Sequence, residues 1–353
     1  MKLSFIAGAR WRDWKRLRKE NSVPPRYWHR SMLQSLLSSR NEKLAKIDDQ
    51  VSLAEVDPEP PLFILGHWRS GTTHLQYLLS QDPSFGVPNN YQCCFPGSCL
   101  KSEEGHGRQI ARWVPSRRLQ DNMAQSLKTP GESEMALASL GAPTPYLSWA
   151  FPQRTAHFLR FLSLREATDA ERNAWKSAMK YCVRKWTWIY RRPLLLKSPP
   201  NTARIRWLLE LFPDARFVHI HRHPLEVYQS SLHLYDVWKS RIAFLQRPDF
   251  SDMEDRVLRL YQEMHKALEA DKGLIPLGNY HALRFENLER NPLGELQNLY
   301  ESLRLGPLPI NSLKKYLSTI RCYKKNNYPK LKWAERNRVT EAWGPWLRSW
   351  GYA

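Results

Sequence analysis

The chain has 353 residues, 42% of them hydrophobic, and a net charge of +20. That length and apolar content exclude a wholly disordered protein and allow one large α/β domain or two smaller ones. Five cysteines, with Cys93 and Cys94 adjacent and no CxxC pair, exclude a disulfide framework and zinc-ligand spacing, and fit a reduced compartment.

The charge is uneven. Residues 1–50 carry 12 Lys/Arg against 5 Asp/Glu, and residues 314–353 carry 10 against 2, so the ends hold about three quarters of the excess. Basic ends suit an anionic ligand or an acidic surface. No apolar run reaches the length of a membrane-spanning helix. The apolar patch in MKLSFIAGAR is shorter than the roughly fifteen residues of a signal peptide. The expected location is cytoplasmic, with peripheral contact to an anionic membrane through the basic N-terminal segment as a further option.

Taken in order, RWRDWKRLRKE (residues 10–20) interleaves Trp11, Trp14 and Leu17 with basic groups. Such a helix can lie on an anionic membrane or dock on its own domain. Past Pro24 and Pro25, Leu33, Leu36, Leu37, Leu44 and Ile47 share one face of a helix over 31–47, predicted to face the core. A proline-rich stretch, 57–61, ends a basic helical appendage of residues 1–58. The main domain is expected over 59–353.

A short apolar strand, Leu62 to Leu65, stops at Gly66, and an amphipathic helix carrying Leu75, Leu78 and Leu79 follows. Strand, glycine turn and helix leave backbone N–H groups free at a helix N-terminus, where the macrodipole favours an anion. Ser70, Thr72 and Thr73 add hydroxyls and Arg69 adds charge, so the stretch reads as a phosphate cradle. Residues 82–130 are irregular and are expected to shape an acceptor pocket. In PGESEMALASLG, Glu132 and Glu134 open a helical run from Met135 to Leu140, as dipole-complementing groups or as a general base.

A long helix is predicted over Ala170 to Tyr190, then a strand from Leu194 to Leu196 ending at Lys197. A helix from Thr202 to Leu211 and a strand from Arg216 to Ile220 follow. Arg222 and His223 lie beyond that strand, and Pro224 opens the next helix. Further elements are a helix through Val257–Leu268, a strand and turn in Asn279–Pro292, and a helix to about Leu303. In open α/β sheets, ligands bind beyond the C-terminal strand ends. Gly66–Thr73, Lys197 and Arg222 all fall there and converge on one crevice.

A nucleoside-triphosphatase loop requires GxxxxGK[ST]. Here GHWRSGTT keeps the gap but puts Thr72 at the Lys position, with no clear acidic magnesium site. A divergent nucleotide-dependent kinase is the first rival. A basic nucleic-acid-binding protein is the second, on charge and fifteen Trp, although no nucleic-acid motif appears and no nucleic-acid partner is expected.

ILGHWRSGTTHLQYLL resembles the 5′-phosphosulfate loop of sulfotransferases that use 3′-phosphoadenosine 5′-phosphosulfate (PAPS), in its PRSGTT form. FVHIHRHPLEVYQSS resembles their 3′-phosphate motif, with Arg222 followed eight residues later by Ser230. LLLKSPPNTARI and LRFENLERNP resemble further family signatures in the same order, and PGESEMALASLG is similar to a segment of the microbial branch. The resemblance implies a P-loop-like, three-layer α/β/α fold with a central, mainly parallel sheet. It also implies metal-independent, in-line sulfuryl transfer to an acceptor hydroxyl, leaving adenosine 3′,5′-bisphosphate (PAP). By resemblance, Arg69, Ser70, Gly71, Thr72 and Thr73 take the 5′-phosphate end, and Arg222 and Ser230 the 3′-phosphate. Lys197 resembles the transition-state lysine of tyrosine-protein sulfotransferases, and Glu132 or Glu134 is the base.

The chain departs from the family in three places. His67-Trp68 stands where proline often precedes the arginine, Ser133 interrupts the acidic triplet, and the RxGxxGxWK tail is absent, with Lys324, Lys325 or Asn326 as substitutes. His67, His106 and His157 are reserve bases, since the cytosolic branch uses histidine. The acceptor stays open among lipid or quinone, glycan and small metabolite, and so does the oligomeric state.

Overall fold

The computed structural model describes residues 4–352. Two helices precede the sheet, α1 (Trp11–Glu20) and α2 (Trp28–Asp48). Trp14 and Leu17 of α1 are buried, so its apolar stripe docks on the protein itself. Ile6, Ala9, Trp14 and Leu17 share one buried cluster with Phe63 and Leu65 of the sheet.

Helix α2 corrects the sequence expectation. Leu36 and Ile47 are 66% and 47% exposed, and Leu33, Leu37 and Leu44 are only half-buried. The buried face is Ser31, Gln34, Ser38, Asn41, Ala45 and Asp48. Gln34 and Asn41 find their partners in the chain ahead of α1, and Asp48 pairs with Lys185 and the Leu100 N–H. The Gln34 amide donates to the Ile6 carbonyl at 2.9 Å, and the Asn41 amide donates to those of Ala7 and Ala9 at 2.9 and 3.1 Å. Arg10 pairs with Glu42 and Asp49 at 2.5 and 2.7 Å. Buried polar groups cost little once hydrogen-bonded, and this need for partners outweighs the leucine periodicity.

Strand β1 (Leu62–Leu65) leads into α3 (Thr72–Leu79). Short helical turns at Asn90–Cys94, Cys99–Ser102 and Arg108–Ala111 occupy the irregular stretch before α4 (Ser133–Ser139). Helix α5 (Asp169–Tyr190) starts at a capping box between Thr168 and Glu171. Strand β2 (Leu195–Lys197) then reaches α6 (Ile205–Leu211) through a 3-10 turn at Pro199–Ala203. Strand β3 (Arg216–His221) is followed by α7 (Pro224–Arg241), which has Pro224 in its first turn. After α8 (Met253–Asp271) and β4 (Tyr280–Arg284) come α9 (Pro292–Leu303), α10 (Ile310–Ile320) and α11 (Trp333–Ser349).

The sheet order is β2-β1-β3-β4, every pairing parallel, with Ile64 opposite both Lys197 and Val218. Alternating residues enter opposite layers. Phe63, Leu65, Leu196 and Phe217 pack with Trp175, Met179 and Trp186 of α5 and Leu208 of α6. Leu62, Ile64, Leu195 and Val218 pack with Leu75 and Leu78 of α3 and Leu296 and Leu299 of α9. Both faces of the sheet are therefore covered, giving the three-layer α/β/α architecture and explaining why β1 is wholly apolar. All five cysteines are free thiols. No helix among the described residues is long and apolar enough to cross a membrane.

Candidate active site

The turn from β1 to α3 is built for close backbone approach. Gly66 has φ +147°, and a Cβ there would lie 2.6 Å from the Ile220 carbonyl oxygen, so only glycine fits. Its N–H donates to Thr202 Oγ1 at 2.7 Å, and Ser70 Oγ closes the loop by donating to the His67 carbonyl at 2.7 Å. Arg69 is held at φ +71° and Gly71 at φ +98°, next to the Phe285 ring. Gly71, Thr72 and Thr73 then line a groove of about 1520 Å³ that also holds Lys197, Glu132 and Arg222.

At the end of β2, Lys197 Nζ contacts Glu132 Oε1 directly and lies 3.5 Å from Thr73 Oγ1. The other Glu132 oxygen accepts from the Tyr146 hydroxyl at 2.6 Å, and Tyr146 accepts from Trp68 Nε1 at 3.1 Å. Burial pushes the Glu132 carboxyl up, but Lys197 and Tyr146 together outweigh it and hold it below its usual value. Burial lowers the Lys197 ammonium, with Glu132 opposing. Glu132 is ionised at neutral pH, with one oxygen fixed by a cation and the other by a phenol.

Glu134 lies two residues away in another environment. Its side chain is 0% exposed, against 24% for Glu132. Arg204 Nη1 sits 3.0 and 2.9 Å from its two oxygens, and Thr144 and Ser198 also donate to it. Arg204 itself is fully buried and donates to the carbonyls of Leu162 and Phe161. The structure thus brings Glu132 to the groove and locks Glu134 into a core ion pair.

The second cluster lies where β3 meets α7. Arg69 Nε donates to Ser230 Oγ at 2.9 Å, and its Nη1 pairs with Asp121 at 2.9 Å. Sequence reasoning grouped Arg69 with the 5′-phosphate end. Its side-chain hydrogen bonds run to Ser230, Asp121 and Gln120. Arg222 lies over the Phe285 ring at 4.7 Å, pairs with Glu226, and buries an Nε with no partner among the described residues. Ser230 also meets the Tyr328 hydroxyl at 3.0 Å, which Asn326 approaches at 3.4 Å. The site residues missed from sequence are Arg118, Asp121, Tyr146 and Tyr328. Arg118 donates to Thr73 Oγ1 at 2.8 Å and pairs with Asp121 at 3.3 Å, placing a cation over the α3 N-terminus.

Beyond Tyr146 the groove wall turns aromatic. Phe5 stacks at 6.2 Å on Trp149 and meets Tyr146 and Trp238 edge-on. A narrow pocket of about 50 Å³ continues there, sharing Trp68, Tyr146, Leu234 and Trp238 with the groove and adding Phe244 and Leu260. Among the reserve bases, His106 bonds the Tyr91 hydroxyl at 3.1 Å and His157 packs on Phe158 and Phe161, both apart from Glu132 and Lys197. His67 is buried and turns its ring toward Tyr261 and His265.

That ring joins a buried histidine group. Burial holds His67 down at about 4, His219 at about 3 and His221 at about 4, and takes His265 well below its usual value. All four stay neutral in the fold while the unfolded chain takes up protons below pH 6.5. Their contribution to stability is therefore intact above pH 6.5 and is lost as pH falls toward 4. Each site contributes a slope of about 1.4 kcal/mol per pH unit. Urea midpoints between pH 7.5 and 4.5 should fall steeply. His219→Asn, which cannot take up that proton, should flatten the slope.

A phosphate-type loop, an ionised glutamate on a strand-end lysine and an arginine–serine cluster across one groove define a group-transfer site. A model of the sulfotransferase family matches residues 60–307, and the chain belongs to that family. It is a sulfotransferase. The chain is 35% identical to omega-hydroxy-beta-dihydromenaquinone-9 sulfotransferase Stf3 of Mycobacterium bovis and, equally, of Mycobacterium tuberculosis, covering 98% of this chain and 90% of each relative. The fold is similar to that of sulfotransferase STF9 from Mycobacterium avium, with a TM-score of 0.71 at 18% identity over 94% of this chain and 88% of that one. It is also similar to sulfotransferase STF1 from Mycobacterium tuberculosis, with a TM-score of 0.64 at 14% identity over 95% and 92%.

Proposed function

We propose that this protein moves a sulfuryl group from PAPS to the hydroxyl of a lipophilic acceptor, of the hydroxylated isoprenoid-quinone kind that its mycobacterial relatives are named for. The observation that carries this reading is the Tyr146–Glu132–Lys197 chain, set between the glycine loop and an aromatic pocket. It puts an ionised base and a cation at the junction of the anion cradle and an apolar wall.

In this reading the donor supplies an activated sulfuryl group, and departure of that group leaves negative charge on a phosphate oxygen. Lys197, Arg118 and the N-terminus of α3 would hold the 5′ end, where that charge develops. Glu132 takes the acceptor's hydroxyl proton on the oxygen shared with Lys197, while Tyr146 keeps the carboxylate in one orientation. Burial and Glu132 hold the Tyr146 hydroxyl well above its usual value, so it remains a donor throughout. Arg69, Arg222 and Ser230 would bind the 3′-phosphate. The unpartnered Arg222 Nε fits an anion that can accept from it. The Arg69 Nε–Ser230 hydrogen bond supports counting Arg69 with this end, whereas the family resemblance puts it at the 5′ end.

Titration with PAP and with 5′-AMP tests the donor side. Arg222→Ala should weaken PAP binding by about 10- to 100-fold, the scale of a lost hydrogen bond between charged groups, and leave 5′-AMP nearly unchanged. Equal losses for both nucleotides would remove Arg222 from the 3′-phosphate.

A further inference from the structure

The inverted helix α2 has a use beyond the reaction. Its outward face exposes Trp28, Met32 and Leu36 at 61%, 65% and 66%, one turn apart, and Ile47 at 47%. These side chains span about 28 Å of helix at 1.5 Å per residue. Gln34, Asn41 and Glu42 bond the chain ahead of α1 and Asp48 pairs with Lys185, so rolling α2 to hide the apolar stripe would break these contacts. An apolar stripe kept in water on a rigid helix marks a surface that meets something else.

We propose that this face seats the protein on an anionic lipid bilayer. Charge selects the occupant. Over residues 11–47, nine basic side chains are exposed, among them Arg40, Lys43 and Lys46 of α2, against one exposed carboxylate, Glu20. A second copy would bring like charge against like charge, which opposes association. Anionic headgroups neutralise those cations while the tryptophan and aliphatic side chains enter the headgroup–acyl boundary. The start of α2 and the turn before it adjoin the acceptor side of the groove through their inner side. Arg30 of α2 donates to the Phe244 carbonyl at 2.7 Å, and Gln246 donates to the Ser22 carbonyl at 2.7 Å. Phe244 lines the narrow aromatic pocket, which shares Tyr146 with the groove, so a bilayer on this side would lie near the end at which a lipid acceptor enters. That last link rests on the proposed function, while the docking itself does not.

The test is co-sedimentation of the full chain with phosphatidylcholine vesicles, with and without phosphatidylglycerol. The wild type should bind the phosphatidylglycerol vesicles, and more weakly as salt rises. Trp28→Ser/Met32→Ser/Leu36→Ser, all at exposed positions, should bind about tenfold more weakly or worse. PAP binding by the triple variant should equal wild type, so a docking failure is read separately from a failure of the donor assignment. No binding to phosphatidylglycerol vesicles, or equal binding by the triple variant, overturns the proposal. So does a wild-type dimer in sedimentation equilibrium that the triple variant disperses, since that would make the face a contact between copies.

Discussion

Glu132→Gln should lower kcat by about a hundred- to ten-thousand-fold, the range for loss of a positioned general base. The amide keeps the size of the carboxylate: its oxygen can still accept from Lys197, and its NH2 can donate to the Tyr146 hydroxyl oxygen, so the groove keeps its shape. It cannot take a proton from the acceptor hydroxyl. KM for the donor and the affinity for PAP should stay near wild type, because Glu132 is not part of the Arg69–Ser230–Arg222 cluster. The pH profile is informative as well. In the wild type the acid limb should lie below the ordinary carboxylate range, because Lys197 and Tyr146 outweigh burial at Glu132. The residual rate of the variant should lose that limb. A variant with near-normal turnover would place the base elsewhere.

Glu134→Gln should instead show in stability. Glu134 and Arg204 are both 0% exposed and 2.9 Å apart, and the substitution leaves the guanidinium buried without a counter-charge. Breaking a buried pair from one side costs about 3–5 kcal/mol. That should appear as a lower urea midpoint and poorer recovery of folded protein. Any activity loss should follow the unfolded fraction. Replacing both partners, Glu134→Met with Arg204→Met, should recover much of the loss, because no charge is then left unpaired. Two glutamates two residues apart would thus fail in different assays. A Glu134→Gln variant as stable as wild type but inactive would reverse the two roles.

What could be read from sequence was local. The β1–Gly66–α3 cradle and the strand ends at Lys197 and Arg222 follow from apolar runs, glycine and short-range order, and they stand where expected, although β2 and α6 begin one and three residues later. Glu132 and Glu134 could not be told apart because their fates depend on Lys197 and Arg204, 65 and 70 residues downstream. Arg118 and Asp121 lie in an irregular stretch with no periodicity to flag them. Tyr146 reaches Glu132 only because a 3-10 turn lays its hydroxyl there. Helix α2 misled for a physical reason. Its leucines have helical spacing, but so do Ser31, Gln34, Ser38 and Asn41, and only the backbone carbonyls of Ile6, Ala7 and Ala9 decide which face turns inward. The polar stripe was the overlooked signal.

In the proposed function, sulfuryl transfer from PAPS to a lipophilic hydroxyl runs by way of Glu132. Its most direct test supplies the purified protein with PAPS carrying labelled sulfate and a solvent extract of cell lipids, then partitions the product between organic and aqueous phases and weighs the labelled species. Wild type should put the label into an organic-soluble compound heavier than its precursor by one sulfuryl group, nearly absent with Glu132→Gln. Label confined to water-soluble products, or an organic product that forms equally well with Glu132→Gln, would contradict that function.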